Sequence, residues 1–315
     1  MTTTATPPSI DGVYMSIQKD PQTAFNEFQA GSIDFAAIPS GKIKETVEKY
    51  GESEDGFTST PGKQVLLGTE LSTYFLIPGP NDPVLADSKV RRAVSLAINR
   101  QNIVDTLFEG SRMPATSIMP TTIDDSEENV WEDCRYDPEA AGKLLDEAGY
   151  PADASGKRGV EITLNYNSDG DHGDLMSAVQ LDLEAVGITV TQASVEWATY
   201  LTQLSDGDFS LGRLGWTADY PTMDNFLYPN FFTGADNNYE EYSNPEMDQA
   251  MLDARQIQDD EERKAACRKI CATIGKDMPV IPIMFYAHNY VGSERLKSFM
   301  YDAQTKPWFQ TAELA

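Results

Sequence analysis

Apolar and polar positions alternate over residues 10–16, which reads as a strand. Phe25 and Phe28 then share a helical face within 21–30, Gly31 stands as a stop, and 33–38 reads as the next strand. Strand, helix and strand within about 30 residues is a βαβ length, so the opening is expected to belong to an α/β lobe. Residues 41–50 read as a charged helix, 51–62 as turns, and 63–77 as strands rich in β-branched and aromatic side chains. Residues 78–83 hold three prolines and read as a segment crossing between lobes.

Asp87 is placed to cap a helix that carries Val90, Ala93, Val94, Ala97 and Ile98 on one face. A second helix is expected from about Asn99 or Arg100, closed by Gly110. Arg91 and Arg92 read as ion-pair formers or covers of the core rather than a basic patch. Over 137–150, Asp137 caps, Pro138 takes the first helical position and Gly149 terminates. From Val160 the pattern is regular: strand 160–166, helix 174–186, strand 188–195, helix 197–204, strand 209–216. Such alternation implies parallel pairing with right-handed crossovers. Residues 225–238, aromatic and asparagine-rich, receive no element; helices follow at 244–251 and 261–274. Residues 277–286, broken by Pro279 and Pro282, suit an edge strand or a second crossing, and the tail carries no clear pattern.

The strand over 209–216 runs into a loop with Asp219, Tyr220, Pro221 and Asp224. In open α/β sheets ligands gather beyond the carboxyl ends of strands, so Trp216 and Asp219 read as a pocket wall. The plainer alternative is a surface loop that ends a buried strand.

Composition narrows the function. With 315 residues, about two domains are expected. Fifty acidic against 24 basic side chains leave a net charge of -26, which argues against nucleic acid and anionic membrane surfaces as partners. No apolar run approaches the roughly 20 residues of a membrane helix. The opening MTTTATPPSIDG lacks the features of a secretory signal, so the protein is cytoplasmic or its signal has been removed. Cys134, Cys267 and Cys271 form neither a disulfide framework nor a zinc set and are expected to be buried or idle. His172 and His288 stand far apart with no nucleophile motif, and Asp169, Asp171, His172 and Asp174 lack the calcium-loop spacing. Neither a Walker sequence nor a GxGxxG is present, and no metal or cofactor is expected. Asp219 and Asp224 as a hydrolytic carboxylate pair remain an alternative of a different class.

Five stretches, in order, carry a resemblance: DSKVRRAVSLAINRQNIVDTLFEG, YDPEAAGKLLDEAGY, LGWTADYPTMDNFL, YSNPEMDQAMLDA and MPVIPIMF. Together they resemble the extracytoplasmic solute-binding proteins of ABC transporters that carry oligopeptides, dipeptides and nickel. The resemblance implies an α/β fold of the type II periplasmic-binding-protein kind, two lobes joined by a hinge, with a short peptide enclosed between them. It also implies a non-enzymatic, monomeric protein that delivers its ligand to ABC permease subunits outside the cytoplasm. Residues 1–78 are then part of lobe I, 79–276 a complete lobe II, and 277–315 the return crossing and the end of lobe I. The first lobe is incomplete by this comparison, so the chain reads as a C-terminal fragment, which accounts for the lack of a signal.

In the motif that here reads WTADY, the family's aspartate holds the peptide α-ammonium, which places that role on Asp219. Trp216 would line the cleft, and Arg213 matches a position that meets the ligand carboxylate in some oligopeptide binders. Tyr220, Asp224 and Asn225 complete the candidate ligand-binding set. Where the family usually has Asp-Pro-Asp after the tyrosine, this chain has Pro221, Thr222, Met223 and Asp224. In a regular strand Arg213 and Trp216 point to opposite faces, so both meet a ligand only if Gly215 bends the strand. A nickel or chelate binder of the same family is the nearest alternative, its histidine being His172, His288 or one outside this chain. A sensory or orphan interaction module on the same fold is a third reading.

Overall fold

A computed structural model describes residues 9–315. Most of the opening stretch read for signal features therefore lies outside the described residues. The chain divides into two compact units. The larger comprises Leu71–Ile103 and Pro114–Phe285; the smaller comprises the described residues up to Glu70, Val104–Met113 and Tyr286–Ala315.

Most of a six-stranded sheet lies in the larger unit, in the order Met113–Pro114, Ile281–Ala287, Thr69–Pro78, Leu211–Thr217, Glu161–Asn167, Thr189–Val195. Glu161–Asn167 pairs in parallel with both Thr189–Val195 and Leu211–Thr217, as the alternation of strands with helices His172–Ala185 and Trp197–Asp206 requires. Tight termination helps set these crossovers: Gly207 adopts φ 65° after Asp206 and closes the second helix in a left-handed conformation. Thr69–Pro78 joins the other side of Leu211–Thr217 antiparallel. Nine consecutive residues of Thr69–Pro78 are buried, as in a strand covered on both faces.

Ile281–Ala287 is interior to this sheet, which corrects the edge-strand expectation. Its prolines suggested an edge because proline cannot donate to a ladder. The two-residue strand Met113–Pro114 is enough to cover its outer side, with Ala115 N–H donating to the Ile283 carbonyl at 3.1 Å.

The helix Ser88–Ala97 starts where Asp87 accepts from Lys89 N–H at 2.8 Å, and extended backbone at Ile98 separates it from Arg100–Leu107. Arg100 is buried and donates to the carbonyls of Ser95, Cys134 and Pro282, tying helix, loop and strand together. Arg91 donates to the carbonyls of Leu85, Ala86, Asp277 and Met278, and Arg92 to Asp133 at 2.5 Å. Arg92 thus makes an ion pair, as expected, whereas Arg91 ties backbone carbonyls together.

The smaller unit holds two three-stranded antiparallel sheets. In one, Tyr290–Gly292 lies between Phe35–Ala37 and Val65–Leu66; in the other, Leu296–Tyr301 lies between Pro307–Leu314 and Thr58–Ser59. Phe25 and Phe28 of helix Pro21–Gln29 pack with Ile43, Val65 and Val291 in the larger of its clusters. Two expectations fail here. Residues 10–16 form no strand, and the nearby side chains of Tyr14 and Ile17 are 88% and 93% exposed. The opening βαβ unit does not form either, since Phe35–Ala37 pairs antiparallel with a strand from the end of the chain. Alternation marks a segment able to form a strand, but a ladder needs a partner, and the partner of Phe35–Ala37 came from the tail, which carried no clear pattern.

Candidate functional site

The strand Leu211–Thr217 keeps an unbroken register with Thr69–Pro78, from Ser72 opposite Thr217 to Pro78 opposite Leu211. Gly215 therefore introduces no bulge, and Arg213 and Trp216 lie on opposite faces of the sheet. The Arg213 guanidinium carbon sits 5.2 Å from the centre of the Tyr74 ring. Tyr74 Oη and His172 Nδ1 are 3.5 Å apart, so His172, weighed in the sequence only as a metal or catalytic residue, borders the Arg213 face.

On the other face the chain leaves the strand and turns back into the helix Asp224–Phe231. Asn225, 1% exposed, organises this turn. Its Oδ1 accepts from the Trp216 indole Nε1 at 3.2 Å and from the Asp219 backbone N–H at 2.8 Å. Trp216 and the Asp219 backbone are thus fixed to one buried amide, while the Asp219 side chain stays on an exposed stretch of the loop. Tyr220, 42% exposed, donates its hydroxyl to Asp224 Oδ2 at 3.2 Å.

Asp224 is held from its other side by Arg255, whose Nε donates to Oδ1 at 2.8 Å and whose Nη2 donates to Oδ2 at 2.9 Å. The same guanidinium lies 3.6 Å from the centre of the Tyr228 ring. Its pKa is raised, chiefly by the hydrogen bond to Asp224. Nothing in the sequence marked Arg255, which stands 31 residues from its carboxylate. A cleft of about 440 Å³ is lined by Pro221 and Met223 of the loop, by Asp224 at the helix start, and by Arg255, Arg263 and Lys264. Each of these cations has a carboxylate partner: Asp224 for Arg255, Asp260 for Arg263, and Asp124 for Lys264.

The structure therefore brings Trp216, Asp219, Tyr220, Asp224 and Asn225 into one connected turn and leaves Arg213 on the opposite face. Neither histidine joins a metal-binding cluster: among the described residues no group of three or more His, Cys, Asp or Glu is placed to hold a metal ion. His288 Nδ1 faces Glu70 Oε1 at 2.9 Å and its Nε2 faces the Asp302 carbonyl at 3.0 Å. The three cysteines are buried free thiols. No described helix is long and apolar enough to cross a membrane.

Residues 4–238 match the family described as bacterial extracellular solute-binding proteins, family 5 Middle. The chain belongs to this family. Among its relatives is the oligopeptide-binding protein OppA of Bacillus subtilis, 28% identical over 92% of this chain and 52% of that protein. Another is heme-binding protein A of Haemophilus influenzae, 25% identical over 92% of this chain and 52% of that protein. The structure of the oligopeptide-binding protein AppA from Bacillus subtilis, in complex with a nonapeptide, superposes with a TM-score of 0.80 at 22% identity, covering 95% of this chain and 59% of that one. The fold is accordingly the α/β fold of type II periplasmic binding proteins, and the chain spans about half the length of the curated relatives it matches. The family is one of solute-binding proteins rather than enzymes.

Proposed function

We propose that the chain serves as the peptide-binding part of an ABC importer's solute-binding component, with Asp219 as the anchor for the peptide α-ammonium. The observation that carries this reading is the double hydrogen bond to Asn225, which ties the Asp219 backbone and the Trp216 indole together at the end of the strand. An ammonium is the natural partner for a carboxylate presented there, because a charge-assisted hydrogen bond is roughly twice as strong as a neutral one. Trp216 lines the ligand's path. Arg213, on the opposite face of an unbent strand, is left out of this site. Tyr220 borders the site, and Asp224 and Asn225 support it from behind. The names of relatives favour the same class, since OppA is named for oligopeptides and AppA holds a nonapeptide.

The protein acts outside the cytoplasm, in the periplasm or tethered to the cell surface, as a monomer that hands its ligand to permease subunits without chemical turnover. Hydrolysis by Asp219 and Asp224 is disfavoured because both oxygens of Asp224 are already engaged by Arg255. The test is calorimetry with a mixed di- to pentapeptide library on wild type and Asp219→Ala. Binding that falls at least about tenfold in the variant, equivalent to roughly 1.4 kcal/mol, supports the assignment. Undiminished binding moves the anchor elsewhere. Absence of peptide binding together with saturable binding of haemin or a nickel chelate overturns the peptide reading, and product formation from a peptide overturns the non-enzymatic one.

A further inference from the structure

The helix Asp224–Phe231, which carries Asn225, is weak by its own sequence. It has eight residues, no side-chain cap at Met223, and Pro229 in its interior, which removes a backbone donor. An isolated helix of this length is unstable in water, so its first turn must be held by contacts from outside. The buried side chains of Phe226, Leu227 and Phe231 anchor the helix body, and Arg255, directly after the helix Pro245–Ala254, holds its partly exposed start. It grips the first helical residue, Asp224, through two parallel hydrogen bonds and covers the Tyr228 ring one turn later. Asp224 also accepts from the Tyr220 hydroxyl, so loop and helix start meet on one carboxylate.

We infer that Arg255 is a positioning residue for the ligand site: by fixing Asp224 it places Asn225, and through Asn225 it sets the Trp216 indole and the Asp219 backbone. The link from Arg255 to Trp216 follows from geometry alone; its effect on peptide recognition rests on the function proposed above. A bidentate fork is central to the role. Lysine at this position keeps the charge but cannot make two parallel bonds to one carboxylate. The pair is partly exposed, with side-chain exposures of 35% for Arg255 and 20% for Asp224, so variants here are expected to remain folded.

The experiment uses protein labelled with nitrogen-15 at the tryptophan indoles, the Trp216 signal being assigned by its loss in Trp216→Phe. Arg255→Gln, Arg255→Lys and Asp224→Asn should each shift the Trp216 indole signal and leave those of Trp197 and Trp308 in place. The control Arg268→Gln, which removes another surface cation paired with Asp125 and Glu127, should leave Trp216 unmoved. In parallel, calorimetry compares trialanine with N-acetyl-trialanine. Wild type should prefer the free amine by about tenfold, and Arg255→Gln or Arg255→Lys should cut that preference by about threefold or more. Arg255→Gln should add no further loss in an Asp219→Ala background, because residues acting through one group are not additive. A Trp216 signal unchanged in all three variants overturns the inference whether or not peptide binds. If that signal shifts but Asp219→Ala keeps the amine preference, the positioning link stands and the amine-anchor assignment fails. If Asp219→Ala abolishes the preference while both Arg255 variants retain it, Arg255 has no positioning role in recognition.

Discussion

The indole Nε1 of Trp216 donates to Asn225 Oδ1 at 3.2 Å, although the two residues lie at the end of a strand and the start of the next helix. The same oxygen accepts the Asp219 N–H. Asn225→Ala removes the acceptor for both donors. Both hydrogen bonds are part-buried, and losing a typical one costs about 0.5–1.5 kcal/mol, so the variant is expected to unfold at lower denaturant and to show altered Trp216 fluorescence. Asn225→Asp keeps an acceptor oxygen and should restore part of the loss; denaturant titration of the two variants checks this.

Gly275 offers a prediction opposed to helix propensity. It lies inside the helix Asp260–Asp277, where alanine is favoured over glycine by about 1 kcal/mol. A methyl group there would overlap the Trp131 indole, which is buried and anchored by Nε1 donating to the Cys271 carbonyl at 2.9 Å. Gly275→Ala is therefore expected to destabilise the protein by about 1–3 kcal/mol. Equal or raised stability in a thermal melt would contradict the packing described for Trp131.

Asp55 sets an acid limit on the smaller unit. Burial pushes its carboxyl pKa up, but hydrogen bonds from the Phe57 and Thr58 N–H groups and the Thr58 and Ser53 hydroxyls outweigh this and bring it down to about 2. A carboxylate depressed in the folded state stabilises above its unfolded pKa of about 3.9 and loses that contribution as pH falls through its folded value. Stability should therefore decline between about pH 4 and pH 2 by more in wild type than in Asp55→Asn, as acid titrations followed by circular dichroism can show.

The thiols should be slow to react. Burial pushes Cys267 up to about 11 and Cys271 up to about 12, and it also raises Cys134. Since the thiolate is the reacting species, the native protein at pH 8 should release almost no chromophore from an aromatic disulfide reagent. Denatured protein should release the equivalent of its three cysteines. Rapid reaction of any one in the native state would show that its burial is transient.

Much of the architecture is written in local signals. Asp87, Asp137 and Asn244 mark helix starts because their side chains accept hydrogen bonds from backbone only two or three residues on, and the alternation after Val160 implied the parallel strands that form. The ordered motifs carried the family, and WTADY carried the candidate anchor. Pairing between distant segments was another matter. Residues 10–16 alternate and form no strand, Ile281–Ala287 carries proline and is nevertheless interior, and Phe35–Ala37 pairs with the end of the chain. Residue types nominated Trp216, Asp219 and Asp224, and Asn225 joined them only through the family resemblance. Only the tertiary structure separated Arg213 from Trp216 through an unbroken ladder, and only it joined Asp224 to Arg255. The physical reason is range: capping and periodicity act within a few residues, whereas a register or an ion pair depends on which distant group the folded chain brings within about 3 Å.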